Sequence, residues 1–142
     1  MAGLTLVHKD DALQIYWHED HGYLLADWQA TFRKGEVLKA AYQACIDAAR
    51  KHRGAPWIAD VSKVAVLDKA DQKWISEWFW PEFAKAGVPL QAVVQPERAV
   101  GKMSTQRAAK GIGRSGIEVT VHTSRAQAET SVLAWLEKHA DG

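Results

Sequence analysis

The chain has 142 residues, the length of one domain and enough to bury a core without disulfide or metal staples. Its 18 basic residues stand against 17 acidic ones, so no whole-chain field draws in nucleic acid or an anionic membrane, and we expect no nucleic-acid partner and no stable membrane insertion. The single cysteine, Cys45, excludes an internal disulfide framework, and an N-terminus without the basic start and apolar run of a signal peptide points to a cytoplasmic protein.

In chain order, Leu4 to His8 and Leu13 to His18 alternate or run apolar with β-branched and aromatic residues, as strands do. Glu19-Asp20-His21-Gly22 reads as a turn, with Gly22 free to take a positive φ, and Tyr23 to Trp28 as the returning strand of a hairpin. From Lys34 to His52 the period changes. Leu38, Ala41, Tyr42, Cys45, Ile46 and Ala49 recur at helical spacing, and Arg50, Lys51, His52 and Arg53 put positive charge at the end that favours it, before Gly54. Trp57-Ile58-Ala59, ending at Asp60, is a short apolar run of the kind found in buried central strands.

Asp68 and Asp71 have the spacing of a capping box and open a helix expected to reach about Ala86, where Gly87-Val88-Pro89 stops it. Leu90 to Val94 is another buried strand, and Pro96-Glu97 opens a helix expected over Glu97 to Lys110 and broken by Gly111 and Gly113. Ile117 to His122 is the last strand. Ser124 with Gln127 caps a final helix whose inner face is Ala128, Val132, Trp135 and Leu136. No repeat, linker or low-complexity stretch interrupts residues 1–142, so one domain is expected. The order β-β-β-α-β-α-β-α-β-α calls for an α/β fold with a mixed sheet, an N-terminal antiparallel hairpin and helices packed against the sheet.

The stretch from Trp57 to Lys69, WIADVSKVAVLDK, resembles the signature of the STAS domain: a buried strand ending in Asp, an apolar loop, then Asp-Ser at a helix start. The order of elements is similar over the whole chain. The resemblance implies a SpoIIAA-like fold of an uncharacterised bacterial branch, akin to the lipid-binding lobe of CRAL-TRIO proteins. It also implies a regulatory or interaction module that binds a protein partner or a second copy of itself as a dimer. In the antagonists of that family the Ser of the pair is phosphorylated. Here Asp68 is kept but Lys69 stands in the Ser position, so the usual phosphorylatable group is missing.

Seven tryptophans are many for this length, and four of them (Trp57, Trp74, Trp78, Trp80) lie between positions 57 and 80. On a regular helix Ile75, Phe79, Phe83 and Ala86 form the inward stripe, Trp74 and Trp78 its flank, and Trp80 the far side from Trp74, with Pro81 kinking or restarting the helix. Two binding modes follow. In the first, the loop after Asp60 and the helix near Asp68 meet a protein partner, with Trp74 and Trp78 as anchors. In the second, a small apolar or amphipathic ligand is carried or sensed among Trp57, Trp74, Trp78 and Phe79. Asp60, Ser62 and Lys69 are expected to gather with Lys102, Ser104 and Arg107 at the carboxyl ends of the strands, where an anionic group could be received.

The remaining motifs read as structural. Gly111-Ile112-Gly113-Arg114-Ser115-Gly116 spells G-x-G-x-x-G but precedes a strand instead of following one, so it reads as a connection. His18-Glu19-Asp20-His21 lacks the spacing of a helical metal site and reads as a solvated turn. No acid–base pair, nucleophile-and-base set or metal constellation is spaced for chemistry, so no catalytic residue, metal or cofactor is expected.

Overall fold

The computed structural model describes residues 3–30, 35–64, 69–96 and 99–140, of 99–102, 104 and 105 the backbone alone. Six strands lie side by side in chain order: β1 (Leu4–Lys9), β2 (Leu13–His18), β3 (Tyr23–Trp28), β4 (Trp57–Asp60), β5 (Leu90–Val94) and β6 (Glu118–His122). The first three pair antiparallel and the last three join in parallel, so the sheet is mixed and the fold α/β, as the pattern required. The expected hairpin is present, with Leu13 opposite Trp28 and His18 opposite Tyr23, and Gly22 turns at φ 80°.

Each parallel step needs a crossover. These are α1 (Gly35–Lys51), a continuous helical run of α2 (Lys69–Trp74), a π segment (Ile75–Phe79) and α3 (Trp80–Lys85), and then α4 (Ala99–Arg114). Right-handed crossovers stepping in one direction put their helices on one face of the sheet. That face buries Ala26, Trp28 and Trp57 against Leu38, Cys45, Phe79, Phe83 and Ile112. The opposite face buries Tyr23, Leu25, Ile58, Leu90, Ala92 and Val94 against Ala128 and Val132 of α5 (Arg125–Lys138). Strand alternation thus divides one sheet between two cores. No helix among the described residues is long and apolar enough to cross a membrane.

Three elements depart from the sequence reading. At Pro81 the helix restarts as α3, with Pro81 in its first turn, but it does so through a π segment without a gap. Pro81 lacks the N–H that would close on Glu77, and just before it the ladder shifts by one residue, with the Trp80 N–H donating to the Ile75 carbonyl. A regular helix would set Trp80 roughly 140° around from Ile75. The five-residue π turn brings it back over Ile75, so Trp80 is buried against Phe79 and Phe83 instead of lying on the far side. Helix α4 likewise runs through Gly111 and Gly113 to Arg114, and the chain turns at Gly116 with φ 100°. Gly111 faces the π segment, where a Cβ would meet Ser76 Oγ at 3.8 Å, an ordinary contact distance.

The third departure is the loop 18–21, which is not wholly solvated. His18 is buried, stacked between His21 and Tyr23. The caps are partly as expected. Ser124 Oγ accepts the Gln127 N–H at 3.2 Å, but Gln127 Oε1 returns to the Thr123 N–H and hydroxyl. Asp68 lies outside the described residues. Its expected partner Asp71 accepts the Gly35 N–H at 3.3 Å, which ties the start of α1 to α2.

Candidate functional site: an apolar cavity under the helices

On the crossover face, strand alternation aims Ala26 and Trp28 of β3, Trp57 and Ala59 of β4, and Gln91 and Val93 of β5 at the helices. The small alanines leave space that the helices do not fill. A cavity of about 310 Å³ results, roofed by Tyr42 and Cys45 of α1, by Ile75, Phe79, Trp80 and Phe83 of the helical run, and by Ile112 of α4. This volume is within the range of small-molecule sites, roughly 300–1,000 Å³.

The wall is aromatic and rigid. Phe79 stacks on Phe83 with ring centroids 4.9 Å apart and meets Tyr42 edge-on at 4.5 Å, while Trp57 meets Phe83 edge-on at 5.0 Å. Interlocked rings hold their rotamers, so the cavity keeps its shape. The Trp57 indole N–H is buried and has no acceptor among the described residues, leaving a donor at a wall whose other polar groups include the Gln91 amide and the Tyr42 hydroxyl. Burial pushes the Cys45 thiol and the Tyr42 hydroxyl well above their ordinary pKa, so both stay neutral there.

The mouth is polar. Gln72, Ser76, Arg107 and Arg114 line it and are exposed, and Gly111 lies between them without a side chain. Ser76 Oγ and Arg114 Nη2 stand 3.8 and 3.9 Å from the point where a Gly111 Cβ would be.

A second polar cluster lies across the sheet. Asp27 and Asp60 are direct neighbours on β3 and β4, an arrangement that would repel. Arg125, at the start of α5, bridges them, with Nε 2.6 Å from Asp60 Oδ2 and Nη2 2.8 Å from Asp27 Oδ1. Asp60 Oδ1 accepts the Ser62 N–H at 3.0 Å and the Ser62 hydroxyl at 2.6 Å. Burial raises the Asp60 pKa, but the bonds from Ser62 and Arg125 outweigh it and hold the carboxyl below its ordinary range. Burial lowers the Arg125 pKa, and its two carboxylates outweigh that in turn. The cluster locks α5 to the strand ends.

The structure therefore splits the expected site. Trp57, Phe79 and Arg107 come together at the cavity. Trp74 and Trp78 do not line it; they stack on each other with centroids 4.9 Å apart, Lys39 lies over Trp74, and Trp78 is 37% exposed. Asp60 and Ser62 belong to the Arg125 cluster on the α5 face, so they do not gather with Arg107. Lys69 is an exposed residue at the start of α2. Asp68 and the side chains of Lys102 and Ser104 lie outside the described residues. Trp28, Trp80, Phe83, Gln91 and Arg114 were missed. The alternation of Ala26 with Trp28, Trp57 with Ala59 and Gln91 with Val93 was the signal for the strand half of the wall.

In comparison with known proteins, the chain matches no protein-family model, and neither curated proteins nor solved structures give a significant match.

Proposed function

We propose that the protein binds a small apolar or amphipathic molecule in the cavity between sheet and crossover helices, acting as a non-catalytic carrier or sensor. The observation that carries this reading is an aromatic cavity of about 310 Å³ between the sheet and the crossover helices. Folding gains by filling such space, since cavities cost stability roughly in proportion to their volume. A rigid, shaped void with a polar mouth is what a ligand site requires. The orphaned Trp57 N–H supports the same reading, because an occupant bearing an oxygen could give it a partner and relieve a cost of about 1–3 kcal/mol.

A series of n-alkanols of increasing length, followed by tryptophan fluorescence, tests this. At roughly 30 Å³ per water-sized group the cavity holds about ten such groups. Each added methylene contributes about 0.8 kcal/mol, so Kd should fall about fourfold per carbon and level off near ten carbons. Ala108→Trp, at the exposed rim on α4, should abolish binding without altering the thermal midpoint. Absence of saturable binding throughout the series would overturn the reading.

A second reading keeps a STAS-type interaction module that meets a protein partner or its own copy. It is supported by the stacked Trp74–Trp78 pair at the surface. Sedimentation should then show a change of oligomeric state in Trp78→Ala; identical sedimentation at all concentrations would dismiss it for self-association.

A further inference from the structure

The cavity wall is mostly apolar, and its mouth carries two guanidinium groups, Arg107 and Arg114. Among the described residues neither Arg107 nor Arg114 has a carboxylate partner. The contrast with Arg125, which holds two carboxylates, is informative. Guanidinium forks match carboxylate and phosphate oxygens two at a time, and an unpaired pair of them at the entrance of an apolar cavity is complementary to an anion with an apolar body. Ser76 Oγ and Arg114 Nη2 both come within 4 Å of the point where a Gly111 Cβ would be, and Ser76 adds a hydroxyl donor. The bare backbone of Gly111 leaves the space between these donors unobstructed.

We infer that the ligand is an amphipathic anion, its apolar body in the cavity and its carboxylate or phosphate head held at the mouth by Arg107 and Arg114, with Ser76 as an additional donor. This rests on the cavity-binding reading above and specifies its chemistry. The head lies at the exposed rim, so its contribution is screened by salt, whereas that of the buried chain is not. The two parts of the recognition are therefore separable by experiment.

Calorimetric titration of the full chain with decanol, decylamine, decanoate and decyl phosphate at neutral pH and low salt provides the test. At least one of the two anions should bind ten or more times tighter than decanol, and decylamine should bind more weakly than decanol. The anion that gains more identifies the head. Raising the salt should erode the gain for the anion and leave decanol unchanged. Arg107→Gln with Arg114→Gln, both at exposed positions, should erase the preference for the anions, so that they bind no tighter than decanol does to the same variant. If decanol and decylamine bind as tightly as both anions, or the gain survives the double substitution, the inference about the head is wrong and the cavity reading stands. If none of the four binds, the cavity reading itself has failed.

Discussion

The bridge from Arg125 to Asp27 and Asp60 offers a quantitative test of how the two faces of the sheet are joined. Arg125→Met keeps the length of the side chain and removes its charge. Asp60 is 5% exposed and would lose the Arg125 guanidinium, though it keeps both bonds from Ser62. Breaking a fully buried pair costs roughly 3–5 kcal/mol. The Arg125 side chain is 45% exposed, so water screens the interaction and the expected loss is about 2 kcal/mol. For a chain of this size that lowers Tm by about 6–8 °C.

The pH dependence carries the sign. In the fold Asp60 titrates below its ordinary value of 3.8, so the unfolded chain takes up the proton first. The wild type holds the contribution of the pair above about pH 4 and loses it as pH falls through the folded pKa. In the variant the buried, unpaired carboxyl titrates higher, and protonation relieves it. Thermal unfolding followed by circular dichroism should therefore show a gap between the two proteins that narrows from about pH 7 to about pH 3. A gap equal at both pH values, or one below about 0.5 kcal/mol at neutral pH, would refute the assignment.

Two further outcomes follow from the wall of the cavity. Phe79 is fully buried and packs on Tyr42, Trp80 and Phe83, so Phe79→Ala should cost about 3–5 kcal/mol in urea unfolding, a large part of a typical domain's stability. A loss under about 1 kcal/mol would mean that the ring is not packed as described. Cys45 lines the cavity and burial raises its pKa, so its un-ionised thiol should react with an aromatic disulfide reagent far more slowly in the native protein than in urea, where one thiol titrates. Rapid native modification would contradict that placement.

The order of elements was legible because each signal was local. The hairpin from Leu13 to Trp28, the apolar face of α1 and the Ser124 cap all depend on neighbours a few residues away. The site was legible only in part. Trp57 and Phe79 were identified as large rings in apolar runs, but their grouping with Trp28 and Phe83 depends on strand register and on the π segment. Regular helical periodicity turned Trp80 outward; one shifted hydrogen bond before Pro81 turns it in. Gly111 and Gly113 read as breakers because glycine weakens an isolated helix, yet in α4 tertiary packing against the π segment overrides that preference. The partner of Asp60 is 65 residues away, beyond any local pattern.

The central claim, that the cavity is a ligand site, is tested most directly by the indole N–H signals in a ¹H–¹⁵N correlation spectrum during titration with decanol. The chain has seven tryptophans, and three of them, Trp28, Trp57 and Trp80, line the cavity. Decanol should shift those three indole signals saturably, while Trp17 and Trp135, stacked on His52 and His139 away from the cavity, stay in place. Shifts confined to Trp74 and Trp78, or none at all, would contradict that claim.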